Sequence, residues 1–222
     1  MNRTRLIIID GMPGSGKTTS AKMLSESLSQ WGVNHRCILE LEENHPLMLL
    51  NESFESLASE AEADRFSQLF QSCYQQFVTD QLSSNYEVTI IESVLFQDTV
   101  SMAVHMGMER GRLASLVRSI QQILSPLSPA VIYTYHLNVE GQWRYICGVR
   151  GNEWGPVSLH TDEDFREAAA LWSRSQTFVR EAIEAWNVPK LIIENKDYLW
   201  EEYTQQMRAF VQSEWTRSQE HR

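Results

Sequence analysis

Apolar residues recur along this chain in two rhythms. Short unbroken runs alternate with longer stretches whose apolar positions return every three or four residues. The runs are Leu6-Ile7-Ile8-Ile9-Asp10, Cys37-Ile38-Leu39-Glu40-Leu41, Val88-Thr89-Ile90-Ile91-Glu92-Ser93, Ala130-Val131-Ile132-Tyr133-Thr134-Tyr135 and Leu191-Ile192-Ile193-Glu194. They predict five strands buried on both faces. Helical spacing fills the gaps: residues 17–31, most of 53–83, 94–106, 112–124, a segment from about 139, 162–186 and 198–215. In the first of these, Ala21, Leu24, Leu28 and Trp31 share one face while Lys22, Glu26, Ser29 and Gln30 take the other, and Gly32 supplies a stop. Strands alternating with helices predict an α/β fold, a three-layer doubly wound parallel five-stranded sheet with helices on both faces.

Composition narrows this picture without redirecting it. The 222 residues suit one domain spanning 1–222. A hydrophobic content of 42% beside 22% charged residues is that of an ordinary globular chain. The apolar runs are far too short to span a bilayer, and Met1 to Arg5 leads straight into the first strand, leaving no room for a signal peptide. A net charge of −10 repels nucleic acid polymers and anionic membranes, so a bound anion must be met by a local pocket. Cys37, Cys73 and Cys147 form neither a disulfide framework nor a metal pair, and free thiols point to a cytoplasmic location. His45 and His105 are isolated and lack metal-ligand spacing. The seven tryptophans are as compatible with a core as with a homodimer interface.

The candidate chemistry begins where the first strand ends. Gly11-Met12-Pro13-Gly14-Ser15-Gly16-Lys17-Thr18, followed by Thr19, satisfies the P-loop pattern G-x-x-x-x-G-K-[ST] between a predicted strand and a predicted helix. Its glycines let several backbone N–H groups turn inward on one anion, and the helix N-terminus adds partial positive charge. Lys17 would reach the outer phosphates of a nucleotide, and the Thr18 hydroxyl would bind Mg2+. Ligands of open parallel sheets bind beyond the carboxyl ends of the strands. Two acids share that rim: Glu40, with Glu42 as the alternative, after the second strand, and Glu92 at the end of the third.

A hydroxyl acceptor would gain from a carboxylate within hydrogen-bond reach, whereas a phosphate acceptor needs none. Arg65, Phe66, Phe70, Tyr74, Phe96, Gln97 and Arg118 are candidates for the acceptor pocket. Phe66, Phe70 and Tyr74 fall on one helical face, which suits a core as well as a base-stacking platform. Acids turned inward would favour a neutral or cationic acceptor, and a cluster of inward arginines a nucleoside monophosphate. The glycine-containing, charged stretch around 140–160, with Arg144 and Arg150, is a lid-like segment that could fold over a ligand.

On its P-loop, its Glu92 strand end and the arginines of the lid-like segment, the chain resembles P-loop kinases of the nucleoside/nucleotide kinase superfamily. A fainter likeness, through Asn44-His45-Pro46 after strand two, is to a group of small bacterial kinase-like P-loop proteins. The resemblance implies a sheet order of 2-3-1-4-5 and the use of ATP and Mg2+. It also implies that Glu92 orients the metal's water shell and that Glu40 serves as a base. Arg144 would stack near adenine, Arg150 would approach the transferring phosphate, and Lys196, after the fifth strand, would lie near adenine. In the deoxynucleoside kinases the acid of strand three is followed by Arg-Ser; here Ser93 follows directly.

The expected activity is therefore an ATP- and Mg-dependent phosphotransferase acting on a small-molecule acceptor, a nucleoside or nucleotide first. The alternative acceptor is another hydroxylated small molecule, such as an antibiotic. Two other classes compete. Asn195-Lys196-Asp197 suggests a GTPase-like switch, but Tyr198 fills the last place of the guanine-reading Asn-Lys-x-Asp, and no Asp-x-x-Gly follows a strand. A catalytically inactive nucleotide-binding protein is opposed by the joint presence of Lys17, Thr18, Glu92 and Arg150.

Overall fold

The computed structural model describes residues 4–48, 52–93, 95–154 and 157–217, with Arg217 described by its backbone alone. Its strands are β1 (Leu6–Gly11), β2 (His35–Ile38), β3 (Val88–Glu92), β4 (Pro129–His136), β5 (Glu153–Trp154), β6 (Val157–Ser158) and β7 (Lys190–Asn195). The helices are α1 (Lys17–Gln30), α2 (Glu60–Ser83), α3 (Ser101–His105), α4 (Arg110–Leu124), α5 (Val139–Arg150), α6 (Asp162–Ala185) and α7 (Trp200–Arg217). A π-helical turn, Leu95–Val100, runs directly into α3.

Five strands form one parallel sheet in the order β2-β3-β1-β4-β7. This is the 2-3-1-4-5 order, with the fifth long strand numbered β7 because the short β5–β6 hairpin intervenes. Alternation along the central strands divides the core into layers. Leu6 and Ile8 of β1 face α2 and α4, while Ile7 and Ile9 face α1 and α7. On β3 the same alternation sends Val88 and Ile90 to the α1 side. Glu92, two residues further on, shares that side and arrives beside the start of α1. A third, smaller core lies under the hairpin, where Met12 packs with Val139, Trp143, Ile146, Cys147, Leu159 and Phe165.

Several boundaries differ from those read in the sequence. The second strand was expected at Cys37–Leu41 and lies at His35–Ile38, in register with Val88 to Ile91 of β3. The chain leaves the sheet at Leu39 because the Glu92 carboxylate, not a strand, receives the N–H of Glu40 at 3.2 Å. Leu41 consequently stands 93% exposed. Helix α2 starts at Glu60 rather than near 53, and α4 at Arg110 rather than Arg112, because the Glu109 side chain caps the N–H groups of Gly111 and Arg112. The single helix expected over 94–106 is divided between the π turn and the short α3. Val94, Gly155 and Pro156, assigned in the sequence to that helix and to the lid-like segment, lie outside the described residues. Among the described residues no helix is long and apolar enough to cross a membrane.

Candidate active site

The loop between β1 and α1 is built on two glycines in the left-handed region, Gly14 at φ 71° and Gly16 at φ 78°. Both are closely overlaid. A Cβ on Gly14 would lie 2.5 Å from Ile146 Cγ1 of α5, and one on Gly16 would lie 3.1 Å from the Trp200 ring of α7. Gln142, buried on α5, donates from Nε2 to the Pro13 carbonyl at 3.3 Å and accepts the Tyr198 hydroxyl at 2.8 Å. The loop is thus clamped from the α5 side and the α7 side at once. The Ser15 hydroxyl is buried within it and has no hydrogen-bond partner.

Lys17 opens α1 and points back along the loop, with Nζ donating to the Met12 carbonyl at 3.3 Å and to Gln97 Oε1. The Thr18 hydroxyl donates to Glu92 Oε1, and the other oxygen of Glu92 accepts the Glu40 N–H. Glu92 therefore ties the start of α1 to the segment after β2. Glu40 returns its side chain to the same place: Oε1 accepts Gln97 Nε2 at 3.0 Å, and Oε2 lies 3.9 Å from Lys17 Nζ. Gln97 bridges the lysine and the acid.

What fixes Gln97 is a residue absent from the candidates read in the sequence. Asp10, the penultimate residue of β1, is fully buried and receives the N–H groups of Gly11 at 2.7 Å, Phe96 at 2.9 Å and Gln97 at 3.1 Å. Its face of β1 meets the π turn, so the carboxylate anchors that turn against the P-loop. Burial outweighs the pull of the Lys17 ammonium and of the Phe96 and Gly11 N–H groups, and the carboxyl is pushed up to about 7. An ionisable residue closing a run of isoleucines was the readable signal for it.

These groups line a cavity of about 350 Å³, inside the usual range for small-molecule sites. Pro13, Gly14, Gly16, Thr18 and Thr19 form its floor; Glu40, Glu92 and Gln97 form one wall; Tyr145, Arg150, Trp154 and Trp200 form the other. Arg150, the last residue of α5, lies 5.3 Å from the Trp154 ring centroid on β5. Trp154 in turn stacks on Trp143 at 6.0 Å. Trp154 falls in the stretch around 140–160 expected to fold over a ligand, whereas Tyr145 and Trp200 were not singled out in the sequence, because helical spacing alone does not show which face of α5 or α7 meets the P-loop.

Other expected residues stand elsewhere. Arg144 does not line the cavity: it is held by Glu140 at 2.8 Å and Asp162 at 2.9 Å, with its guanidinium 4.5 Å from the Phe165 ring centroid. Lys196 is exposed and outside the cavity lining. Glu42 pairs with Arg36 at 3.0 Å, so of the two alternatives after β2 it is Glu40 that reaches the cavity. Phe66, Phe70, Tyr74 and Phe96 are buried in the main core, Phe66 against Phe70 at 4.6 Å, and offer no face to a base. Arg65 is taken by Glu52 and Glu62, and Arg118 bonds the Ser115 hydroxyl on the exposed side of α4. The Asn195 Oδ1 is also occupied, accepting the Tyr198 N–H at 3.0 Å, while its Nδ2 is buried without a partner. Among the described residues no group of three or more His, Cys, Asp or Glu side chains is placed to hold a metal by itself.

No protein-family model and no curated protein matches the chain. Among solved structures it is similar to a thymidylate kinase from Ehrlichia chaffeensis, with 15% identity, 95% of this chain and 99% of the other covered, and a TM-score of 0.53. At that identity the likeness is one of fold: the chain shares with that thymidylate kinase a P-loop α/β fold, with a five-stranded parallel sheet between helices.

Proposed function

We propose that the protein is an ATP- and Mg-dependent phosphotransferase that moves the γ-phosphate to a small-molecule acceptor of the nucleoside or nucleotide class. One observation carries the reading: Lys17, Thr18, Glu92, Glu40, Gln97 and Arg150, drawn from five separate segments, converge on one cavity above a P-loop. The fold shared with a thymidylate kinase agrees with it.

The residues present fit the implied nucleotide and metal. Gly14 and Gly16 take positive φ with Ile146 and the Trp200 ring packed where a Cβ would stand, which holds the loop in the turned conformation that an anion cradle needs. The Ser15 hydroxyl is a buried polar atom without a partner in that cradle. Thr18 and Glu92 are hard oxygen donors side by side, the set expected for Mg2+, which keeps several waters and uses few protein ligands. When bound, Mg·ATP supplies the transferable phosphoryl group and neutralises part of its charge.

This chain's own residues do the rest. The loop amides and Lys17 hold the outer phosphates, and Thr18 and Glu92 hold the metal side. Arg150, beside Gly151 at φ 87°, approaches from the end of α5 with a charge that no carboxylate pairs among the described residues. The lid-like segment 140–160 is α5 with the β5–β6 hairpin, seated on its own core, and it excludes water from one side of the cavity. Tyr145 and Trp200 offer aromatic faces at the mouth for the nucleobase, in place of Arg144 and Lys196. Glu40 lies where an acceptor hydroxyl could pass it a proton.

The test is a Mg·ATP assay across nucleosides, nucleoside monophosphates and antibiotics, with products weighed by mass spectrometry. An acceptor should gain one phosphate, and the product should vanish in Lys17→Ala. GTP-selective binding without ATP binding would replace this reading with that of a switch.

A further inference from the structure

We propose that the acceptor enters this site as an uncharged alcohol and not as a phosphate monoester, an assignment that rests on the phosphotransferase reading above. A phosphate monoester brings about −1.5 to −2 charges at neutral pH, and sites that take one in present cations of their own, most often arginine forks. Among the described residues only Lys17 and Arg150 bring positive charge to the cavity, and the phosphotransferase reading above assigns both to the phosphate donor. The wall opposite Arg150 carries two carboxylates, Glu40 and Glu92, and the neutral amide of Gln97.

The other cations of β2, α2 and α4 stand outside the cavity lining, held by the chain's own acids except for Arg118, which bonds the Ser115 hydroxyl on the exposed side of α4. Arg36 of β2 pairs with Glu42 at 3.0 Å. Arg65 of α2 pairs with Glu52 at 2.9 Å and Glu62 at 3.0 Å while lying over the Phe54 ring. Arg112 of α4 is held by Glu60 and Asp64. His45 adds no charge either: it is buried, its Nδ1 accepts the Leu47 N–H at 3.2 Å, and burial holds its pKa below the usual histidine range. The undescribed internal positions 49–51, 94, 155 and 156 are Leu, Leu, Asn, Val, Gly and Pro, which hold no cation.

The same geometry suits a hydroxyl. Glu40 lines the cavity and stands 3.9 Å from the Lys17 ammonium. Once that ammonium turns to the donor phosphates, the Glu40 carboxylate faces the cavity, where it repels a second phosphate and receives a proton. The acceptor oxygen forms the new bond to the γ-phosphorus as the bond from that phosphorus to the β-phosphate oxygen breaks. The electron pair stays on the departing ADP, and the hydroxyl proton passes to Glu40.

A mixture of natural metabolites can stand in for a single chosen acceptor. The full chain is incubated with Mg2+, ATP labelled with heavy oxygen in its γ-phosphate, and a small-molecule cell extract. Half of the extract is first treated with a phosphatase that is then filtered out. Labelled product should persist or increase in the treated extract, and Glu40→Gln should slow its formation by about 10²-fold without weakening ATP binding measured by calorimetry. Label confined to the untreated extract, or an unchanged rate in Glu40→Gln, overturns the alcohol assignment. No labelled product in either extract, with ATP bound, refutes the phosphotransferase reading itself.

Discussion

Replacing Asp10 by Asn should change how stability depends on pH more than it changes stability itself. Asp10 is buried at the end of β1 with its carboxyl raised from 3.8 to about 7, chiefly by desolvation. The folded protein thus keeps a proton that the unfolded chain releases near pH 4. Stability from this group is fully present below the unfolded pKa and is lost as pH rises through the folded one. The interval between the two values corresponds to about 4 kcal/mol at 1.36 kcal/mol per unit. The Asp10→Asn variant is neutral at every pH and retains a carbonyl oxygen for some of the three N–H groups. It should carry a pH-independent penalty of about 1–3 kcal/mol for the donor it leaves unpaired. Urea denaturation of both proteins from pH 4 to pH 8, with unchanged m-values, measures the difference directly. The wild type should lose about 4 kcal/mol relative to the variant across that window. A difference that stays flat from pH 4 to pH 8 would refute the claim that burial dominates at this carboxyl.

Two further outcomes separate residues that look alike in the sequence. Arg150→Ala should lower kcat/KM for phosphotransfer by about 10²-fold, whereas Arg144→Ala should leave it unchanged; equal losses in steady-state kinetics would contradict the placement of the two guanidiniums. Gly14→Ala should cost about 2–4 kcal/mol in urea melts, from a positive φ and the clash with Ile146, and a part of that cost should disappear when Ile146 is itself Ala, a double-mutant cycle that reads the coupling.

The order of elements was legible because a parallel strand buried on both faces has to be apolar throughout, and each such run in this chain is bounded by helical spacing. Glu92 was legible for a related reason, as an acid interrupting such a run at the rim where ligands bind. Glu40 was located correctly but on the wrong kind of element: the partner that pulls it off the sheet, Glu92, is 52 residues away. Arg144 had a readable counter-signal in Glu140, four residues earlier on the same helix. The aromatic stripe Phe66, Phe70 and Tyr74 obeys the same period whether it faces a ligand or a core, and only packing against α4 and the sheet decides. Tyr145, Trp154 and Trp200 come together from α5, β5 and α7, and no local pattern links them.

Met12 belongs to two structures at once. By sequence it is part of the phosphate loop, yet its side chain is 2% exposed within the cluster that supports α5 and the hairpin. The hairpin cannot fray without uncovering Met12, and the loop cannot loosen without withdrawing a methionine from beneath Trp143. Loop and hairpin therefore form one cooperative unit for local unfolding. A ligand that orders the loop slows amide exchange across the whole hairpin, including β6, which contributes nothing to the cavity lining.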